Sequence, residues 1–312
     1  MSNPADQPPF GEGTLGEFAD SPLVKLPDLA TFFARRAERL ESLAAGNELE
    51  GFLRLVAMIV RAQHTALSSL PPGRLPGRED VATALGRGSA PLDPGRWPRD
   101  PDWRAALKAI LAALPPEALT DDARAAQARL AGAADGELEA VADRVLKGEL
   151  RADDKAGAPF VAAALQVAWT RMAGLLDPAD FAGQTEENGS CPVCGSHAVA
   201  GTVLPGGTRF GHRLLNCSLC GTAWRYARVK CAHCGSTDKI SFRNLAGTTF
   251  LRAECCENCH GYTKLFYPEK ARAVEPLADD LASLGLDLLV GEEGFGRAPN
   301  PFVQAAMEPQ EG

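Results

Sequence analysis

No apolar run in this 312-residue chain reaches the roughly 18 residues needed to span a bilayer. The opening residues, MSNPADQPPFGEGTLGEF, have neither a basic n-region nor an apolar h-region, so they support no export signal or membrane anchor. A cytoplasmic location without membrane insertion is expected. Chemistry-bearing sets are also scarce. No Ser/His/Asp arrangement, phosphate-cradling loop or paired carboxylate stands above background, so no enzyme is expected and no catalytic residue is assigned. The stretch Gly11 to Gly16 fits G-x-G-x-x-G, but no strand pattern precedes it and no βαβ unit follows, so a dinucleotide site is not supported. His64 sits beside an apolar stripe with no second ligand near it and reads as a core-edge histidine.

Excess positive charge is missing too. The chain carries a net −8, yet from Cys191 to Lys270 ten Lys/Arg face four Asp/Glu, a local +6 that leaves −14 on the remainder. Two sites that each bind one divalent ion through four thiolates reduce that segment to about +2, too little for a nucleic-acid footprint. Nucleic acid is therefore not an expected partner. Trp97, Trp103 and Trp169 have no basic residues interleaved with them and read as core, not as a base-stacking platform.

The length is about twice a typical domain, which favours two cores. Residues 1–25 are rich in Pro and Gly and read as a lead-in; 26–184 read as a helical domain. There Asp28 is placed to cap a helix through Phe32, Phe33, Ala37 and Leu40. A second runs through Phe52, Leu55, Val56, Ile59, Val60, Gln63 and Leu67 at three-and-four spacing. Prolines at 71–76 and 91–101 break the pattern, and further helices are expected near 103–114, 121–130, 137–146 and 160–176. Residues 185–270 hold the metal-binding pattern. Residues 271–312 hold a C-terminal helix, with Leu277, Leu281, Leu284 and Leu288 on one stripe and Gly291 as its stop, and a tail.

Nine cysteines suggest disulfides at first sight, but eight fall into four C-x-x-C pairs, which in a reducing compartment means metal or redox chemistry. The pairs are Cys191/Cys194, Cys217/Cys220, Cys231/Cys234 and Cys256/Cys259. The first and third pairs are 40 residues apart and the second and fourth 39, so the pattern is one module written twice. Two intervening residues let both sulfurs of a knuckle reach one ion, while the glycine after it (Gly195, Gly221, Gly235) tolerates positive φ. In the fourth knuckle His260-Gly261 stands there instead. Equal module lengths predict sequential pairing: Cys191, Cys194, Cys217 and Cys220 on one ion, and Cys231, Cys234, Cys256 and Cys259 on the other. Four thiolates close a tetrahedral site, for which a structural role is the default.

Dithiol exchange and iron–sulfur clusters are the competing chemistries, and a tetrathiolate set alone does not separate zinc from a single rubredoxin-type iron. His197, His212, His233 and His260 read as supporting or surface groups because sulfur already fills each set. Cys255 lacks the C-x-x-C spacing and is left out of the ligands. Short strands near 199–203, 214–215, 223–229 and 239–242 imply small antiparallel ribbons around the ions. The fold class is thus α+β: an N-terminal all-helical domain, tandem rubredoxin-like or zinc-ribbon-like metal modules, and a C-terminal helix.

Several segments in this order, RRAERL (35–40), PLDPGRWPRDPDW (91–103), KAGAPFVAAA (155–164), CPVCGS (191–196), ARVKC (227–231) and VEPLADDLASLGLD (274–287), resemble the formate dehydrogenase accessory protein family, FdhE. The resemblance covers nearly the whole chain past the lead-in. It implies a cytoplasmic maturation factor that binds the catalytic subunit of respiratory formate dehydrogenase before export. It also implies bound iron at rubredoxin-like knuckles, a role that falls on the eight paired cysteines. A tandem zinc-ribbon nucleic-acid binder and a rubredoxin-type electron carrier remain the alternatives.

Overall fold

Asp28 organises the turn ahead of the first helix: its carboxylate accepts hydrogen bonds from Ala30 N at 3.0 Å and Thr31 Oγ1 at 2.8 Å. In the computed structural model, residues 22–71, 73–184, 188–205, 212–271 and 273–306 are described. The helical part comprises α1 (Phe32–Ala44), α2 (Glu50–Ser69), α3 (Arg78–Gly86), α4 (Asp102–Ala113), α5 (Asp121–Gly132), α6 (Asp135–Lys147) and α7 (Ala158–Gly174). Phe33, Ala37 and Leu40 of α1 and Leu53, Val56, Val60 and Leu67 of α2 are all buried, because each apolar stripe finds its partner in the neighbouring helix. α7 is buried on almost every side; its alanines let α2, α4 and α6 approach closely. Trp103 and Trp169 are fully buried, with indole N–H groups donating to Glu139 Oε1 (3.0 Å) and Leu92 O (2.8 Å), so they are core residues as expected. α3 lies in the stretch between two proline-rich breaks, where it was not anticipated. The G-x-G-x-x-G stretch lies outside the described residues.

The antiparallel ribbons do not stand apart. β2 (Ala198–Val203), β3 (Arg213–Cys217) and β4 (Ala223–Tyr226) form one ribbon. β5 (Ile240–Arg243), β6 (Leu251–Cys256) and β7 (Tyr262–Phe266) form the other, and β2 pairs with β7 in parallel to fuse the two. The lead-in also contributes: β1 (Val24–Lys25) pairs with β4, placing buried Val24 opposite Trp224. The result is one seven-stranded sheet in the order β1-β4-β3-β2-β7-β6-β5. Leu215, Trp224 and Tyr226 join the helical core, while Ala200, Ala253, Cys255, Tyr262 and Phe266 build a second core under the C-terminal helices.

A buried ion pair reinforces the fusion. Arg213 of β3 meets Glu254 of β6 at 2.8 Å with both side chains almost wholly out of water. Burial alone pushes the Glu254 carboxyl upward, against the pull of Arg213.

The C-terminal helix predicted as one piece is two: α8 (Pro276–Leu281) and α9 (Leu284–Glu292). Lys264 Nζ of β7 causes the interruption by binding Asp280 O at 2.8 Å and Ser283 O at 3.1 Å, drawing these carbonyls to a buried cation. α9 runs through Gly291, and the left-handed turn comes at Gly294, φ 87°, where Phe295 N reaches back to Val290 O. Leu281 and Leu284 pack into the helical core, whereas Leu288 is exposed. α8 is tied to α1 by Arg39, whose guanidinium grips Asp279 at 2.6 and 2.9 Å. A last helix, α10 (Pro301–Ala306), docks on α7. Among the described residues no helix is long and apolar enough to cross a membrane.

Candidate metal centres

Each knuckle repeats one backbone plan. The N–H of its first cysteine donates to the carbonyl five residues on: Cys191 to Ser196, Cys217 to Thr222, Cys231 to Ser236 and Cys256 to Gly261, at 2.8–2.9 Å. The residue after the second cysteine turns left-handed, at φ 75° for Gly195, 74° for Gly221 and 74° for Gly235. In the fourth knuckle His260 takes that place at φ 53°, so the position without glycine keeps the same turn with a side chain attached.

These turns bring Cys191, Cys194, Cys217 and Cys220 together as one set, and Cys231, Cys234, Cys256 and Cys259 as another, with all Sγ atoms of a set within 4.8 Å of one another. Sulfurs about 2.3 Å from a tetrahedral ion are about 3.8 Å apart. Observed separations are 3.6 Å (Cys191–Cys220), 3.4 Å (Cys194–Cys217), 3.6 Å (Cys231–Cys259) and 3.7 Å (Cys234–Cys256). They are far too long for disulfide bonds of about 2.0 Å. Both sets can therefore hold a metal ion, with zinc and iron suiting the donors equally. Backbone N–H groups support the sulfurs, with Leu219 N and Cys220 N on Cys217 Sγ and His233 N on Cys231 Sγ.

Charge gives the second part of the fit. Burial pushes the thiols of Cys191 and Cys220 far above the ordinary range and that of Cys231 up to about 12, while at Cys194 burial is outweighed by hydrogen bonds from the neighbouring thiols, which hold it well below that range as a single shared thiolate. Four thiolates in such a pocket are tenable only around a cation, whose charge offsets what burial costs.

The two sets differ in their surroundings. The first is wrapped by the helical domain: Leu92 N donates to Val193 O inside one knuckle (2.9 Å), and Gln166 Nε2 donates to Ser218 O inside the other (2.9 Å). Phe32 of α1 lies over Gly221 so closely that a Cβ there would be 2.1 Å from its Cζ. The second set sits at the other end of the sheet, with Cys234 and Cys259 exposed. Tyr226 from the first module steadies it by donating from its hydroxyl to Cys231 O at 2.8 Å.

Gly221 and Gly235 share a backbone conformation but not a neighbour, since the atom nearest a Cβ at Gly235 is Lys230 Cε at 3.7 Å. Gly235→Ala should cost only the conformational penalty, roughly 1–2 kcal/mol. Gly221→Ala should cost about 1–3 kcal/mol more, because the new methyl meets an aromatic ring. Urea unfolding of both variants measures the difference; equal losses would mean that the Phe32 ring yields freely.

Cys255, left out of the ligands on spacing, points instead into the second core, where burial raises its thiol to about 11. Of the four nearby histidines, His233 bonds through Nε2 to Tyr262 O (2.9 Å), His212 lies 3.2 Å from Arg225 Nη2, and the His260 ring lies tilted beside that of Phe295, 5.8 Å between centres. None belongs to a sulfur set. The residues that hold the first centre to the helices, Phe32, Leu92 and Gln166, have no metal-ligand signature, and only their inclusion in or near the distinctive segments hinted at them.

Comparison with known proteins places the whole arrangement. The family models described as FdhE N-terminal, FdhE central domain and FdhE C-terminal domain match residues 21–186, 190–228 and 229–303. Protein FdhE of Shigella boydii serotype 18 is 38% identical over 284 residues, covering 90% of this chain and 91% of that protein. The Protein FdhE homolog of Pectobacterium atrosepticum is 38% identical over the same length, covering 90% of each. The crystal structure of the FdhE protein from Pseudomonas aeruginosa superimposes with a TM-score of 0.79 at 36% identity, covering 90% of this chain and 98% of that one. The chain belongs to the FdhE family.

Proposed function

We propose that this chain is a cytoplasmic, non-catalytic maturation factor that binds the catalytic subunit of a respiratory formate dehydrogenase before its export. Cys191, Cys194, Cys217 and Cys220 hold one metal ion in this reading, and Cys231, Cys234, Cys256 and Cys259 hold the second. Two closed four-sulfur sets on an FdhE-family chain are what support it. A tetrathiolate ion has no open position for a small substrate, so its contribution is to fix a shape. That shape joins helices and sheet into one surface, which suits recognition of a protein. The bound metal is iron if the family resemblance carries over; the same sulfurs suit zinc. Protein prepared without oxygen distinguishes them by metal analysis and visible absorption, since only iron gives colour.

A pull-down against the catalytic subunit at physiological salt, with single-stranded and duplex nucleic acid as competitors, tests the role. Subunit capture that nucleic acid does not displace is expected. Tight nucleic-acid binding with no subunit capture would replace this reading with the zinc-ribbon one.

The ligand assignment has its own test. Cys255→Ala should retain two ions per chain at a modest cost in stability, because it removes one sulfur from an apolar core. Cys256→Ala should lose one ion, because it breaks a four-sulfur set. Metal stoichiometry of the two purified variants decides the matter, and equal loss in both would refute the assignment.

A further inference from the structure

We infer that the two centres have different jobs: the first is a fixed joint, and the second is a surface site where soft metal ions exchange. The inference rests on the reading that each sulfur set holds an ion. In the first set Cys191 is 1% exposed and Cys194, Cys217 and Cys220 are 0% exposed. A cleft of about 390 Å³ is lined in part by Cys194 and Gly195, yet Cys194 is itself 0% exposed. A donor that competes for the first ion meets no exposed sulfur, and Phe32 over Gly221 with the bonds from Leu92 and Gln166 holds both knuckles to the helical domain. Opening the first centre is therefore coupled to undocking the helical domain.

The second set offers a direct route. Cys234 and Cys259 are exposed, and so are the residues flanking them, Gly235, Asn258 and His260. Cys231 and Cys256 are buried beneath, so half of the sulfur tetrahedron faces the protein and half faces water. The fourth knuckle also holds a non-glycine residue in a left-handed turn, a conformation that opening would relax. An incoming chelator can thus bind the ion while two protein sulfurs still hold it. One metal–sulfur bond to Cys234 or Cys259 breaks as the bond to the incoming donor forms, the freed thiolate takes up a proton from solvent, and no electron changes hands. The chemical class that fits is a soft divalent ion, such as zinc, cadmium or ferrous iron, carried by a small thiol or aminocarboxylate ligand.

The test uses the full-length chain loaded with two zinc ions and challenged with excess EDTA. Zinc release is followed in time, and samples are trapped with N-ethylmaleimide for peptide mass mapping. One ion should leave at least about tenfold faster than the other. When half the zinc has gone, Cys231, Cys234, Cys256 and Cys259 should be modified and Cys191, Cys194, Cys217 and Cys220 intact. Phe32→Ala should quicken the slow phase and leave the fast one unchanged. Release of both ions at one rate, modification of the first set before the second, or a slow phase indifferent to Phe32→Ala would overturn the inference. Failure to load two ions would strike instead at the two-site reading beneath it.

Discussion

Cys194→Ser is expected to remove one ion per chain and to destabilise the helical domain as well as the sheet. The mutated sulfur belongs to a set that is wholly buried and hydrogen-bonded on both knuckles by helical residues. Structural zinc in a four-ligand site supplies on the order of 10 kcal/mol of folding free energy, comparable with the entire 5–15 kcal/mol by which domains are stable. Even if half of that is recovered by relaxation, the midpoint of thermal unfolding should fall by on the order of 10 °C or more. The helical signal in circular dichroism should melt together with the sheet, because knuckles that lose their ion no longer present Val193 O and Ser218 O to Leu92 and Gln166. Cys234→Ser should also lose an ion, but its sulfur is exposed and among the described residues no hydrogen bond from α1 to α7 reaches its knuckle, so the helical melting midpoint should move by less than about 5 °C. Metal analysis and thermal melts of both variants provide the comparison. Equal destabilisation of the helices by both would sink the idea that the first centre is the joint.

Much of this was legible in the sequence because the chemistry is local. A C-x-x-C knuckle sets its own turn, and four of them at repeated spacing leave little freedom in how sulfurs group. The amphipathic stripes of α1 and α2 and the buried tryptophans follow from periodicity for the same reason. What stayed hidden depends on contacts between distant segments. Leu251–Cys256 and Tyr262–Phe266, which carry Arg252, Glu254 and Lys264, are strands outside those expected from the sequence. Glu254 and Lys264 are buried because Arg213, Asp280 and Asp287 arrive from elsewhere in the chain to pair with them. The break between α8 and α9 has the same origin, since nothing within Leu277 to Leu288 announces that a lysine from β7 will claim the carbonyl of Asp280. Two of the segments that carried the family resemblance sit at such joints: RRAERL supplies Arg36 and Arg39, and VEPLADD supplies their partners Glu275 and Asp279.

The buried charges around Lys264 set up the other large expected effect. Lys264 has 0% side-chain exposure and binds both Asp280, at 3.2 Å, and Asp287. Arg297 closes the square at 2.7 Å to each carboxylate, and the Tyr262 hydroxyl donates to Asp287 at 2.6 Å. Two cations and two anions balance in a site where Lys264, Asp280 and Asp287 are almost wholly covered. Lys264→Met leaves one guanidinium facing two buried carboxylates and takes one of the donors from the carbonyls of Asp280 and Ser283. Stability should therefore fall by about 3–5 kcal/mol, the range for breaking a buried ion pair from one side. The pH dependence distinguishes lost charge from lost packing. In the intact protein burial pushes the Asp280 carboxyl upward, but Arg297 and Lys264 outweigh it and hold the group below its usual value. Its stabilisation is thus present at neutral pH and lost only as pH falls through that lowered value, below about 4. Without Lys264 the two carboxylates repel, and one of them is protonated more readily in the folded chain than in the unfolded one. The penalty is then greatest at neutral pH and shrinks as acid neutralises the excess charge. Guanidinium unfolding of both proteins between pH 7 and pH 5 should show the gap narrowing, and Lys264→Met/Asp287→Asn, which removes one charge of each sign, should recover part of it at pH 7. A gap that stays constant with pH, and that the double variant does not narrow, would mean that Lys264 acts through its hydrogen bonds to the α8–α9 break and not through its charge.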